Sequence, residues 1–428
     1  MPNLDYKRII LGGLILIIGV GLIIGVLWLV FFRQPAEDAP AGGDVAVGVG
    51  GELPGTGVGG VIGLISPPGQ LPGEPGSQGE EDGLITDFEV EGKVDNVASG
   101  SLTQVTGVME DELADVNLGQ GSLSYLSIED DKFYRISLDG SGKTLLSDKE
   151  FPHVEDAYFS PDNRKVILEY PDGANIIYDL ASGKQISLPQ GMTDPSWRNN
   201  SEGIAYKYIS DNDEDNWLLI ADDTGGKTEA VEHLGDQGDS VQVSWSPTNE
   251  VVALYHKSVG LNKEEVFFIG LNDENNKSLV VEGSNFKGIW SPQGDRILYQ
   301  VIDYDNNYNP ILWVADAQGD NIGGNNFNLG LSTWVDKCVF ARDNKTVYCA
   351  VPVSLPEGAG FYPDLLNDSA DVFYKIDLST GLSRLVAYPV LSESIDSFQV
   401  KKIFITDDSS RLYFWDAFTN KLYYLRLR

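Results

Sequence analysis

Tyr158-Phe159-Ser160-Pro161-Asp162-Asn163, Ser244-Trp245-Ser246-Pro247-Thr248-Asn249 and Ile289-Trp290-Ser291-Pro292-Gln293-Gly294 are three copies of one phrase. Each sets an aromatic residue before a Ser-Pro turn, and each is followed by an apolar, strand-like run. Looser copies stand at Trp197-Arg198-Asn199-Asn200, at Phe340-Ala341-Arg342-Asp343-Asn344 and at Ile405-Thr406-Asp407-Asp408. Equivalent positions are roughly 40 to 50 residues apart, stretching to about 65 at the end, which is the period of a four-stranded propeller blade.

Within a repeat the order is strand, Ser-Pro-Asp-like turn, strand, variable loop, strand ending in Asp, Gly turn and a last strand. The second repeat shows it in full: Ala157 to Ser160, Lys165 to Tyr170, Asn175 to Leu180, the turn Ser182-Gly183-Lys184, and Gln185 to Leu188. Counting repeats predicts an all-β, seven-bladed propeller, with six or eight blades as the alternatives. The last copy supplies only three strands, Lys401 to Ile405, Leu412 to Ala417 and Lys421 to Leu427. A three-stranded blade would expose an edge. Ser101 to Thr106, which alternates like an outermost strand and has no blade of its own, is expected to complete that last blade and lock the ring.

These turns resemble those of TolB-like and WD-type propellers over the stretch from near Ser101 to the C-terminus. The resemblance implies a propeller. It implies no single activity, because such rings serve as binding platforms, enzyme scaffolds and envelope components. Seven repeats also exceed the six typical of TolB-like rings. Lys337-Cys338-Val339-Phe340 with Tyr348-Cys349-Ala350-Val351-Pro352 is similar to a segment of membrane-anchored propellers of uncultivated bacteria, which again names no chemistry.

Of the 428 residues, 42% are hydrophobic and 10% aromatic, enough for a large core. That core begins late. Ile9 to Phe32 is one uninterrupted apolar stretch, long enough to span a bilayer as a helix. Lys7 and Arg8 precede it while Glu37 and Asp38 follow, so the N-terminus is expected in the cytoplasm and the rest outside, on a single-pass inner or cytoplasmic membrane protein. A cleaved signal peptide ending near Ala39-Pro40-Ala41 is the competing reading. Gly21 and Gly25 form a GxxxG pair through which two anchors could dimerise. The expected organisation is therefore a cytoplasmic tail (1–8), a transmembrane helix (9–32), a disordered linker (33–95) densest in Gly and Pro from Gln34 to Gly83, and a propeller (96–428).

The formal net charge of −34 argues against a nucleic-acid partner, since phosphate binding needs a basic footprint. Asp211, Asp213 and Asp215 alternate as in a calcium loop, but Asn216 stands where glycine is wanted and Asp222 where glutamate is wanted. Calcium is the only cofactor the chain suggests. Asp303 and Asp305 form a shorter acidic pair. Ala221 to Thr228 matches a loose phosphate-binding loop, yet it occupies the turn filled by Asp139 to Thr144 and by Ser182 to Lys184 in other repeats, and no helix follows. The three histidines, His153, His233 and His256, lack metal-ligand spacing, and no Gly-x-Ser-x-Gly elbow leads into a hydrolase domain. No catalytic residue is assigned.

If Asp343 and Asn344 form a hairpin tip, Cys338 and Cys349 face each other across two antiparallel strands, a geometry that accepts a disulfide; two free thiols are the alternative. Lengthened loops run from Asp211 to Asn216, His256 to Glu264, Asp303 to Asn309 and Val351 to Asp371, all joining second to third strands and so sharing one face. Tyr304, Tyr308, Phe361 and Tyr362, with Asp303 and Asp305 beside them, are the candidate partner-binding residues of that face. The functional expectation is a non-catalytic platform for a protein or cell-envelope ligand. A glycan-processing or other hydrolytic enzyme and a purely structural envelope component are the alternatives.

Overall fold

The computed structural model describes residues 93–428 apart from 120, 273–275, 367–368 and 392–396. The apolar stretch 9–32 and most of the linker lie outside the described residues, among which no helix is long and apolar enough to cross a membrane.

Seven sheets, six of them wholly antiparallel, follow one another along the described chain. Blade one comprises Leu113–Leu118, Ser122–Ser127, Phe133–Ser137 and Thr144–Leu145, and blade two Asp156–Phe159, Lys165–Glu169, Asn175–Asp179 and Gln185–Ser187. Blades three to five begin at Met192, Val241 and Ser284, blade six at Cys338 and blade seven at Val400. The expected strands of blade two fall within a residue or two of these limits. Each middle strand is buried on both sides, which is why it reads as an unbroken apolar run. Val166 and Leu168 pack toward blade one, whereas Ile167 between them packs toward blade three. Seven hydrophobic clusters of this kind each join two consecutive blades, and one of them sets Tyr413 and Tyr424 of blade seven against Leu113 and Val116 of blade one. The ring is closed by packing.

The Ser-Pro phrase is the hairpin between first and second strands. Ser160 N–H donates to Lys165 O at 2.8 Å, and Ser160 Oγ accepts from Lys165 N–H at 3.0 Å. Ser246 with Val251, Ser291 with Arg296, and Thr406 with Arg411 repeat both bonds. Three residues after the serine, or after Ala341 in blade six, the backbone enters the left-handed region, at Asn163 (φ 55°), Asn249 (φ 62°), Gly294 (φ 71°) and Asn344 (φ 60°), where asparagine and glycine are favoured. The asparagines also reach the preceding blade. Asn344 accepts from Gln293 N–H at 3.1 Å and donates to Asp295 at 2.8 Å, and Asn249 accepts from Arg198 at 3.1 Å. The Gly turns between third and fourth strands are held by the aspartate that ends the third strand. Asp222, in the segment resembling a phosphate-binding loop, accepts from Thr224 and Gly226 N–H at 3.0 Å each, and a strand follows it.

Closure differs from the expectation. Ser101–Gln104 does not join blade seven: it lies parallel to Leu382–Val390 as a fifth strand of blade six, Ser101 beside Ala387 and Gln104 beside Val390. Only Thr106–Gly107 completes blade seven, antiparallel to Leu422–Arg426. Between them Val105 is buried in the cluster shared by both blades. A segment wedged in a seam is covered from two sides, so its alternation does not reveal which blade it belongs to. A second correction concerns His256 to Glu264, which is no lengthened loop. Its strands stay paired to Gly260 opposite Lys263, leaving a short tip at Leu261 and Asn262.

Candidate partner-binding surface

The connections between second and third strands gather on one face, opposite the Ser-Pro turns. On blade five, Asp303 caps a single turn of 3-10 helix, Tyr304–Asn306, by accepting from Asp305 N–H at 3.1 Å. The same carboxylate accepts from Asn262 at 3.0 Å, which ties in the hairpin tip of blade four. Asn307 and Tyr308 then both adopt left-handed backbone, at φ 54° and 55°. A bulky side chain rarely does so, and the neighbouring loop holds it there. Gly358 and Gly360 of blade six donate to Asn307 O and Tyr308 O at 2.9 and 3.1 Å. Gly360 is required by this approach, because a Cβ there would meet Tyr308 O at 2.5 Å.

The long loop of blade six is anchored from beneath. Trp334, Ala359 and Leu366 form a small buried cluster with Leu355 packed on it. Ser369 Oγ donates to Ser354 O at 2.7 Å, and Gln399 donates to Leu366 O at 2.8 Å. At its end Asp371 is buried against Lys337, with Nζ at 2.8 and 3.1 Å from its two oxygens, and it also accepts from Val400 N–H at 2.6 Å. Burial pushes the Asp371 carboxyl up, against the pull of Lys337. This pair fixes where blade six hands over to blade seven.

On that base the expected aromatic residues come together. Tyr304 and Tyr308 meet edge to face at 5.3 Å between centroids, and Tyr308 and Phe361 lie 6.2 Å apart. Tyr304 is 64%, Tyr362 68% and Phe361 47% exposed, far more than a packing role would leave. Val259, Leu261, Val353 and Leu365, which sequence reasoning missed, are also exposed on these three loops. The apolar Val259-Gly260-Leu261 tip was the signal available for part of this. Asp303 serves the surface as a cap, whereas Asp305 is exposed beside it. The result is a three-loop, aromatic surface with an acidic margin.

The other expected sites separate from it. Asp211, Asp213 and Asp215 lie on blade three, with the blade-four hairpin between them and Asp303. Asp213 and Asp215 accept from Asn216 and Asn212 at 3.4 and 3.1 Å, and among the described residues no group of three His, Cys, Asp or Glu could hold a metal. Cys338 and Cys349 are directly opposed, 4.1 Å apart at Cα, and joined by a disulfide buried between blades five and six. His233 bonds Glu214 O at 2.9 Å. His256 lies 3.4 Å from Glu264, whose carboxylate also accepts from Asn285 and Phe286 N–H at 3.1 Å each, tying blade four to blade five. Burial raises the Glu264 carboxyl, but His256 and these N–H groups outweigh it and hold it below the ordinary range.

Sequence reasoning also missed Glu169, at the end of the second strand of blade two and paired across the sheet with Asp156. Burial, reinforced by Asp156, Asp194 and Glu155, pushes its carboxyl up to about 7, although Tyr158 Oη donates to it at 3.1 Å. Asp194 is committed elsewhere, to Val243 N–H at 2.8 Å and Lys207 at 3.5 Å.

No family model matches the sequence, and no curated protein matches it. Solved structures do. A chain of the mitotic checkpoint complex is 12% identical, with a TM-score of 0.50 over 80% of this chain and 100% of that one. Oligogalacturonate lyase from Vibrio parahaemolyticus is 10% identical (TM-score 0.49, 78% and 96% covered), and the tricorn protease is 10% identical (TM-score 0.47, 76% and 34% covered). The chain thus spans about a third of the tricorn protease's length. At such identities the likeness is one of fold alone, a β-propeller.

Proposed function

We propose that this protein is a membrane-anchored, extracytoplasmic binding platform that captures a protein or cell-envelope ligand on the loop face of blades four to six and performs no chemistry there. The observation that carries the reading is the cross-linking of three consecutive loops into one surface, through Asn262 to Asp303, Asn307 to Gly358 and Tyr308 to Gly360. Exposed aromatic side chains on a rigid base are what a binding hot spot requires, because little side-chain entropy is lost on contact. An acidic margin on a chain of net charge −34 favours a partner with an apolar centre and basic surroundings. The anchor rests on the apolar stretch 9–32, and the disulfide suits an oxidising compartment.

A hydrolytic reading draws on one observation, the Glu169 carboxyl held near neutrality among other carboxylates. Cross-linking of the full chain in native membranes tests the first reading. Replacing Tyr308, Phe361 and Tyr362 together with alanine should abolish capture while leaving the thermal transition in place. Equal capture by the triple variant would refute the platform reading, and loss of a hydrolytic activity in Glu169→Gln would establish the second.

A further inference from the structure

On the Ser-Pro face, blades five and six are separated by a cleft of about 360 Å³, within the range of small-molecule sites. Its blade-five wall carries Arg296, Asp316, Asn325 and Phe327, and its blade-six wall is the Gly turn at Ser379 and Thr380. Val314, Ala315 and Leu378 are buried beneath and form only the floor. A ligand would therefore meet polar side chains and the half-buried Phe327.

What sets this junction apart is Arg296. It stands five residues after Ser291, as Lys165 stands after Ser160 and Arg411 after Thr406. Lys165 and Arg411 both reach forward to the next blade. Lys165 Nζ donates to Asp223 O at 3.0 Å and pairs with its carboxylate, and Arg411 Nη1 donates to Leu138 O at 3.3 Å. Arg296 does not reach: among the described residues its guanidinium makes no hydrogen bond, and its ion pair with Asp316 Oδ1 is 3.9 Å long. Asp316 is bonded only through Oδ2, which accepts from Asn325 Nδ2 at 2.7 Å. On the facing wall Ser379 uses its N–H, donating to Asp377 at 2.8 Å, and leaves its hydroxyl unused. Two junctions are thus closed by the cation at this position, and the third keeps it open to solvent.

The walls select among ligands. A simple anion on Arg296 would also meet Asp316, in a chain of net charge −34, and a cation would meet Arg296. An apolar group would cover both charges without pairing them. A hydroxyl both donates and accepts, so neighbouring hydroxyls on one ring match a donor and an acceptor set side by side. The C–H face of such a ring suits Phe327, which stands close against blade six. Gly381, at φ 70°, admits it there, since a Cβ would lie 3.2 Å from Phe327 Cε2.

We propose that this cleft binds a neutral saccharide residue, its hydroxyls on Arg296, Asp316 and Ser379 and its ring against the open side of Phe327. A free sugar and one residue of a glycan chain share this chemistry. The site lies on the face opposite the aromatic surface of blades four to six and is independent of it.

The test uses the full chain in a detergent without a sugar headgroup, titrated with the methyl glycosides of glucose, galactose, mannose and N-acetylglucosamine and read by ligand-detected magnetic resonance. Saturable binding of at least one is expected. Arg296→Met should weaken it by about tenfold, the loss of one charge-assisted hydrogen bond, and Ser379→Ala by about threefold, with the thermal transition of both variants unchanged. Should Arg296→Met unfold the ring, Ser379→Ala decides alone, because its hydroxyl bonds nothing among the described residues. A tetrasaccharide of the best-bound sugar binding more tightly than its methyl glycoside assigns the cleft to a glycan chain, and equal affinities assign it to a free sugar. No saturable binding by any of the four, an unchanged affinity in either folded variant, or tighter binding of inorganic phosphate than of every glycoside would overturn the proposal.

Discussion

Thr106 pairs with Tyr424, so the short second strand and the last strand of the described domain meet in one blade, two residues after Gln104 leaves Val390 of the neighbouring blade. The N-terminal segment thereby clasps two blades at once. Leu102 and Val105 are buried in this clasp, and deleting a buried leucine side chain typically costs about 2–5 kcal/mol. Leu102→Ala should lower the unfolding free energy measured in urea by an amount in that range, and deletion of residues 101–107 should lower it further. A Leu102→Ala midpoint equal to that of the parent would show that the parallel strand does not hold blade six.

The Cys338–Cys349 bridge closes a short loop with a sequence separation of 11, for which chain-entropy arguments allow about 3 kcal/mol at most, and less in a hairpin already paired. Peptide mass spectrometry without reduction should recover the link in protein isolated from membranes. Cys338→Ala with Cys349→Ala should then cost about 1–3 kcal/mol in denaturant unfolding. Two freely alkylated thiols in the isolated protein would remove the bridge.

Glu169 makes stability depend on pH in a defined direction. Its carboxyl is raised to about 7 in the folded protein, so the fold favours its protonated form. That contribution is fully present below the ordinary carboxyl range and is lost as pH rises from there through about 7. Urea midpoints measured at pH 5 and pH 8 should fall in the parent across this interval, and fall less in Glu169→Gln, which resembles the protonated acid. Equal falls would exclude Glu169 as a source.

Gly360→Ala is the sharpest probe of the loop junction. The added Cβ would stand 2.5 Å from Tyr308 O and 2.9 Å from Ile302 Cγ1, so the two loops must separate. Limited proteolysis between Val353 and Ala370 should accelerate severalfold, while the thermal transition of the ring moves little, because the junction lies outside the blade cores. An unchanged cleavage rate would mean that the Tyr308–Gly360 contact does not hold the loop.

The features legible in the sequence are local ones. The Ser-Pro hairpin closes through bonds spanning five residues, so its serine, proline and asparagine are written together and the blades can be counted from them. The opposition of Cys338 and Cys349 is local for the same reason: once the tip at Asp343 and Asn344 is placed, the register follows. The aromatic loop residues could be named as well, though not their juxtaposition. Tertiary structure alone decided that Asn262 reaches Asp303, that Gly358 and Gly360 reach Asn307 and Tyr308, and that Ser101 joins blade six. Each of these contacts joins segments of different blades. A repeat pattern specifies how a blade folds upon itself, whereas the positions of neighbouring loops are set by the packing angle between blades, and that angle emerges only when buried side chains such as Val166, Ile167 and Leu168 interlock around the closed ring.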